Sequence, residues 1–237
     1  MSARVALVTG GVRGLGLASA RRLAADGARV HVVWRSSADL AQPLRREFAL
    51  HQADVCDPAQ CERVVADVLA AEGRLDVLVH AVGEYAVGAL ESQDAALARR
   101  MLSSNVESAL ATFAAARAAL RAARGAAVFF GCSGNDHTRA WRDVALYAAA
   151  KTALLVLVRS LAVEEAPHGV RVNMLSPGHV PHAHAADDTN DPELWARIPM
   201  GVPGEPRDAA EAVAWLVSPA SRYVTGTNLA LGGGWRL

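Results

Sequence analysis

Short apolar runs alternate with longer helix-forming stretches along nearly the whole chain. Strands joined by helices in this order pair in parallel, and a parallel sheet buries both of its faces under helices. The predicted strands are 4–9, 29–34, 50–54, 76–80, 126–132, 171–175 and 228–231, and the predicted helices are 15–26, 38–48, 58–72, 94–123, 144–166 and 207–217. We therefore predict an α/β fold, a doubly wound parallel sheet in three layers, with residues 1–237 as one domain.

A glycine-rich turn joins the first predicted strand to the first predicted helix. Gly10, Gly14 and Gly16 lie in this turn. Glycines permit a tight turn and let the backbone approach a pyrophosphate, while the helix N-terminus offers unpaired N–H groups to the anion. We predict that Leu15, which lies between Gly14 and Gly16, also contacts the cofactor. The strand–glycine–helix context predicts a Rossmann-type dinucleotide site.

The residues after the second strand indicate which dinucleotide binds. NAD-binding chains usually have an acidic residue there for the ribose hydroxyl, whereas this strand runs into Arg35 and Ser36 with no acid until Asp39. Arg35, together with Arg13 of the glycine turn, could hold a 2′-phosphate, and Ser36 could add a hydrogen bond. We predict NADP(H) as the cofactor.

Tyr147 and Lys151 are four residues apart on a predicted helix, so both side chains lie on one face. Of the 24 basic residues, 23 are Arg and only Lys151 is Lys. A Lys ammonium favours a nearby phenolate, so we expect Lys151 to lower the pKa of Tyr147. The pair suits proton donation to a carbonyl oxygen, with Tyr147 as the acid.

The glycine spacing T-G-x-x-x-G-x-G and the Y-x-x-x-K motif resemble the short-chain dehydrogenase/reductase family, and the pattern is closest to its 3-oxoacyl-[acyl-carrier-protein] reductase branch. The resemblance implies a catalytic Ser133 that binds the substrate oxygen and an Asn105 that holds a water beside Lys151. It also implies a homotetramer or homodimer. Further cofactor contacts follow at Asp54, Val55, Gly83, Tyr147, Lys151, Pro177, Gly178 and Val180.

The sequence departs from this family where His80-Ala81-Val82-Gly83 replaces N-N-A-G. The Asn contacts that brace the central strand are lost, and His80 can substitute with one ring nitrogen. His182 stands where the family often has a Thr. We expect Tyr85, His179 and His182 to shape the substrate pocket, and we read His179, His182 and His184 as a loop over the site rather than as a metal centre.

Composition excludes several other classes of function. The 24 basic and 24 acidic residues balance, which disfavours nucleic-acid binding. No apolar run reaches the ~18 residues of a membrane span, and the first residues lack a signal-peptide pattern. Cys56, Cys61 and Cys132 fit no zinc spacing, so we predict reduced thiols, no metal, no membrane partner and a cytoplasmic location.

The predicted activity is NADPH-dependent reduction of a ketone or aldehyde, such as a 3-oxoacyl thioester that is carrier-linked or CoA-linked, or another small carbonyl compound. A pteridine reductase-like enzyme is an alternative, although those enzymes typically place Asp where Ser133 stands. An NADPH-sensing regulatory protein is an alternative of another class. A sensor need not keep a proton donor, so Ser133, Tyr147 and Lys151 favour an enzyme.

Overall fold

The computed structural model describes residues 3–181 and 192–236. One parallel sheet of seven strands runs through these residues in the order β3-β2-β1-β4-β5-β6-β7. The strands are β1 (Val5–Thr9), β2 (Arg29–Trp34), β3 (Ala49–Gln52), β4 (Val77–His80), β5 (Ala126–Phe130), β6 (Arg171–Pro177) and β7 (Asn228–Leu231). The predicted doubly wound sheet is confirmed.

Helices cover both faces of this sheet. They are α1 (Gly14–Ala25), α2 (Ala38–Ala41), α3 (Pro58–Glu72), α4 (Ala95–Leu102), α5 (Ser108–Ala123), α6 (Ala145–Glu165), α7 (Pro192–Trp195) and α8 (Pro206–Val217). One core joins the sheet to α1 and α8, and includes Leu23 and Val213. The other joins it to α3, α5 and α6, and includes Val64, Phe113 and Leu154. The sheet between these two cores, with helices on each side, forms the three predicted layers.

Helix α6 is the only candidate membrane span among the described residues, by length and composition alone. Its Lys151, Leu154 and Val158 are buried in the protein, and the helix packs against β6. Its apolar character is therefore accounted for by the core.

The strand order reverses between β1 and β4, and such a switch point opens a crevice at the carboxyl ends of the strands. The register pairs Thr9 at the end of β1 with His80 at the end of β4. The glycine turn and the segment after His80 therefore emerge side by side.

Two predicted helices are interrupted. The prediction of 38–48 as one helix was wrong: α2 ends at Ala41, and a 3₁₀ turn containing Pro43 follows over Gln42–Arg46. Proline lacks the N–H that an α-helix needs in its interior. The predicted helix 94–123 contains a π turn over Ser103–Glu107, between α4 and α5.

Candidate active site

A cleft of about 830 Å³ lies at the carboxyl edge of the sheet. It is lined by most of the residues that the sequence singles out: Gly10, Arg13, Gly14, Leu15, Gly16, Arg35, Ser36, Asp54, Val55, Gly83, Tyr85, Ser133, Tyr147, Lys151, Pro177, Gly178, His179 and Val180. Asn105 is buried behind the wall of the cleft. His182 and His184 lie outside the described residues.

The glycine turn has the close packing that a phosphate cradle needs. Gly10 adopts φ +70°, and a Cβ there would lie 2.7 Å from the Ala81 carbonyl oxygen. A Cβ on Gly16 would collide with the carbonyl oxygen of Gly10. Helix α1 begins at Gly14, and no side chain caps its first N–H groups. This backbone fits the pyrophosphate of a dinucleotide.

Two exposed arginines flank one end of the cleft. Arg13 precedes α1 and Arg35 follows β2. The Arg35 side chain is 69% exposed, and its Nη1 lies 3.5 Å from Oδ2 of Asp54. The Asp54 carboxylate also accepts a hydrogen bond from the Cys56 backbone N–H at 3.0 Å. Arg35 is therefore only loosely held, and a 2′-phosphate can reach it beside Arg13.

Lys151 is buried at the floor of the cleft, at the end away from Arg13 and Arg35. Its side chain is on the same face of α6 as Tyr147, and Nζ lies 5.8 Å from the Tyr147 ring centroid. Nζ donates a hydrogen bond of 2.7 Å to the carbonyl oxygen of Phe130, the last residue of β5. Burial lowers the pKa of Lys151 to about 8. The ammonium is thus fixed to the sheet at the floor of the cleft.

The expected lowering of the Tyr147 pKa was wrong, because burial dominates. The pKa of Tyr147 is raised well above its ordinary value, first by burial and then by the nearby Cys132 and Tyr85. Burial disfavours the charged phenolate, whereas the Lys151 ammonium faces the Phe130 carbonyl. Tyr147 therefore holds its proton at neutral pH, which is the form that a proton donor needs.

Ser133 stands just beyond β5, where its backbone N–H donates to the Pro177 carbonyl at 2.9 Å. The side chain is almost fully buried. Its Oγ donates a hydrogen bond of 2.7 Å to the carbonyl oxygen of Trp235, near the end of the chain. The Ser133 hydroxyl is thus already engaged as a hydrogen-bond donor to a backbone carbonyl.

Asn105 lies in the π turn, and such turns often occur at functional sites. Its Nδ2 donates to the backbone carbonyls of Met101 and Glu84, each at 3.0 Å. Its Oδ1 is buried and has no hydrogen-bond partner among the described residues. A Cβ on Gly83 would collide with this oxygen and would lie 3.0 Å from Nζ of Lys151. Gly83 therefore lets Asn105 and Lys151 approach the same point.

His80 replaces the bracing Asn with contacts from both ring nitrogens. Nδ1 lies 2.9 Å from Oγ1 of Thr9, and Nε2 lies 3.2 Å from Oγ of Ser108. The Ser108 hydroxyl donates to the Ser104 carbonyl at 2.6 Å, so its oxygen accepts from Nε2–H, and Nδ1 accepts from Thr9. Burial, and then the charge of Lys151, lower the pKa of His80 to about 3. A neutral imidazole therefore ties β1 and β4 to α5.

The end of the cleft near Tyr147, which we call the substrate end, contains residues that the sequence did not single out. Trp141, Trp235 and Arg236 line this end. The predicted pocket residues lie among them: the ring of Tyr85 meets the ring of Tyr147 edge-on at 4.8 Å, and His179 meets Trp235 at 4.7 Å. The only sequence signal for the missed residues was the glycine run that ends at Gly234, directly before Trp235.

No group of three His, Cys, Asp or Glu side chains is placed to hold a metal ion within residues 3–181 and 192–236. Cys56, Cys61 and Cys132 are free thiols. Burial raises the pKa of the Cys132 thiol, beside Ser133, to about 11. Cys132 is therefore a protonated, unreactive neighbour of the site at neutral pH.

Comparison with known proteins places residues 10–236 in a family described as enoyl-(acyl carrier protein) reductase. Galactitol 2-dehydrogenase (L-tagatose-forming) of Cereibacter sphaeroides is 37% identical, over 97% of this chain and 94% of its own. L-rhamnose 1-dehydrogenase (NAD(P)(+)) of Azotobacter vinelandii is 32% identical, over 98% and 96%. A blue fluorescent protein from a metagenomic library, solved in complex with NADPH, is 35% identical with a TM-score of 0.90, over 99% and 98%.

Proposed function

The chain belongs to the short-chain dehydrogenase/reductase family of oxidoreductases, and on that basis we propose that it is an NADP-dependent carbonyl reductase. The observation that carries this proposal is the convergence of Ser133, Tyr147 and Lys151 on one end of a cleft. The other end of the same cleft carries Arg13 and Arg35.

We propose that the glycine turn holds the cofactor pyrophosphate and that Arg13, Arg35 and Ser36 hold the 2′-phosphate of NADP(H). Two guanidinium groups give this phosphate charge-assisted hydrogen bonds that NAD(H) cannot form. Asp54 and Val55 would hold the adenine, while Pro177, Gly178 and Val180 would hold the nicotinamide. A similar protein solved with NADPH supports this choice of cofactor.

The reduced nicotinamide supplies the hydride in this chemistry. Tyr147 donates its proton to the carbonyl oxygen, and its raised pKa keeps that proton in place until transfer. The Ser133 hydroxyl turns from the Trp235 carbonyl to the substrate oxygen and orients it toward Tyr147. The Lys151 ammonium stabilises the negative charge that Tyr147 acquires.

Asn105 completes the proposed proton path as a positioning residue. Its unpartnered Oδ1 points toward the space beside Gly83 and Lys151. A buried acceptor without a partner is costly, and a water molecule can satisfy it. Such a water would connect Lys151 to solvent and return a proton to Tyr147 after each turnover.

We further propose that the whole chain acts as one domain and assembles as a homotetramer in the cytoplasm, as the family resemblance implies. The substrate is a small carbonyl compound, and a 3-oxoacyl thioester remains a specific prediction within that class. The relatives act on a polyol and a sugar, according to their names. The direction of the reaction in the cell depends on the ratio of reduced to oxidised cofactor.

The direct test is NADPH consumption with a panel of ketones, aldehydes and keto-esters, followed at 340 nm. We expect turnover on at least one compound, with NADPH strongly preferred over NADH. Tight NADPH binding without turnover on any member of the panel would instead support a cofactor-sensing protein.

A further inference from the structure

Three arginines gather around two tryptophans at the substrate end of the cleft, and we call them the arginine cluster: Arg139, Arg197 and Arg236. The Arg236 guanidinium lies 4.4 Å from the ring centroid of Trp141 and 5.4 Å from that of Trp235. Arg139 lies 4.8 Å from the Trp141 ring, and Arg197 lies 5.2 Å from the Trp235 ring. The tryptophan rings therefore hold three positive charges in one small region.

Within the part of the chain that the structure describes, no carboxylate neutralises this cluster. Among residues 3–181 and 192–236, no Asp or Glu oxygen lies within 4.0 Å of these three side chains. The acids on the cleft wall at this end are Glu84 and Asp143, and Glu84 pairs with Arg100 at 3.7 Å. Partial burial, followed by the charges of Arg139 and Arg197, lowers the pKa of Arg236. Three like charges with no carboxylate partner among the described residues would be stabilised by a bound anion.

The backbone holds Arg236 beside the reacting groups. Ser133 donates its hydroxyl proton to the Trp235 carbonyl at 2.7 Å, and Nη2 of Arg139 contacts the Arg236 carbonyl at 3.5 Å. Arg236 adopts φ +57°, a left-handed conformation that is unfavourable for a residue with a Cβ. Strained residues of this kind cluster at ligand-binding sites.

The side chains at this end of the cleft indicate which chemical group of a substrate they would bind. A guanidinium forms paired hydrogen bonds with a carboxylate, and tryptophan rings pack against apolar parts of a ligand. We propose that the arginine cluster selects carbonyl substrates that carry a carboxylate, with Arg236 as the specificity-determining residue and Trp141 and Trp235 contacting the carbon skeleton. This inference rests on the proposed function, because it names the substrate class of the same site, and within that class it favours a free keto acid over a 3-oxoacyl thioester.

The proposal predicts that a free keto acid is reduced better than its neutral ester. The test compares kcat/KM for acetoacetate with ethyl acetoacetate, and for 4-carboxybenzaldehyde with methyl 4-formylbenzoate, at saturating NADPH. Acetoacetyl-CoA distinguishes a carboxylate from the remote phosphates of a thioester. We expect each acid to exceed its ester by at least about tenfold, the worth of a charge-assisted hydrogen bond. We also expect acetoacetate to exceed acetoacetyl-CoA.

Variants locate the preference in the cluster. We expect Arg236→Gln to lower the acid-to-ester ratio by about tenfold to a hundredfold while activity on the ester stays within about threefold. Arg236→Lys should retain part of the preference because it keeps the charge. Arg139→Gln provides a second variant if Arg236→Gln folds poorly. The matched control is Arg222→Gln, an exposed arginine beyond the opposite edge of the sheet.

The outcomes separate this inference from the proposed function. Reduction of the esters at least as well as the acids, or an unchanged ratio in folded Arg236→Gln and Arg139→Gln proteins, would overturn the inference and leave carbonyl reduction intact. Better turnover of acetoacetyl-CoA than of acetoacetate would also overturn it. No reduction of any of the compounds, in a protein that binds NADPH, would count against the proposed function itself.

Discussion

The floor of the cleft and its substrate end are built in different ways. On the floor, Lys151 and Asn105 are buried, and hydrogen bonds fix them to β5, α4 and the segment after β4. At the substrate end, Trp141 lies in the loop between β5 and α6, and Arg236 follows β7. Both are held mainly by ring contacts. In the proposed mechanism, Tyr147, Lys151 and Asn105 therefore act from helical elements, whereas specificity rests on segments that can vary without disturbing the sheet.

The strongest test of the floor is Tyr147→Phe, which removes only the phenolic hydroxyl. We expect turnover to fall about a thousandfold, because general acid catalysis contributes about 10²–10⁴-fold. NADPH affinity, measured by fluorescence titration, should stay within about twofold. Tyr223→Phe, at an almost fully exposed tyrosine, is the matched control. Retained activity in Tyr147→Phe would remove Tyr147 from the mechanism.

His80 tests whether the floor depends on a neutral buried imidazole. An unfolded His, with its ordinary pKa near 6.5, takes up a proton below that pH, while the folded His80 stays neutral to about pH 3. Stability is therefore present above about pH 6.5 and is lost as the pH falls. We expect this group to cost about 3 kcal/mol of unfolding free energy at pH 4. Urea titrations at pH 7 and pH 4 measure the loss.

The matched variant for that test is His80→Asn, which cannot titrate. We expect its unfolding free energy to fall less than the wild-type value between pH 7 and pH 4. An equal loss in both proteins would show that other groups account for the acid sensitivity and that His80 is not a neutral brace.

Arg35, whose side chain is 69% exposed, tests the end of the cleft that we propose for the adenosine. We expect Arg35→Ala to weaken NADPH binding by about tenfold or more and NADH binding by less than about twofold, since only NADPH has the 2′-phosphate. Isothermal titration gives both dissociation constants. Arg46→Ala, at an exposed arginine outside the cleft, is the control. Equal losses for the two cofactors would refute the phosphate role.

The smallest expected effect concerns His179, His182 and His184. We expect prolonged incubation with EDTA to leave the rate of NADPH-dependent reduction unchanged, because we interpret these histidines as part of a loop over the active site rather than as metal ligands. The measurement is the rate before and after chelation, with added zinc as the control. Loss of activity that zinc restores would establish a metal site and overturn that interpretation.

The sequence predicted the floor better than the substrate end for a physical reason. Tyr147 and Lys151 follow helical periodicity, and the glycine turn between a strand and a helix determines its own geometry. The π turn that aims Asn105, the second ring contact of His80 and the raised pKa of Tyr147 depend on packing between distant segments. Arg236 and Trp141 are far apart in the chain, so no local pattern predicts their contact.

The reaction that we propose for this protein is the transfer of hydride from NADPH to a carbonyl carbon. The most direct measurement supplies NADPH deuterated at C4, as each of its two stereoisomers, with a carbonyl compound that the protein consumes, and analyses the product by mass spectrometry. We predict an alcohol with one deuterium on the former carbonyl carbon from one isomer and none from the other. Product without deuterium from either isomer would contradict the account.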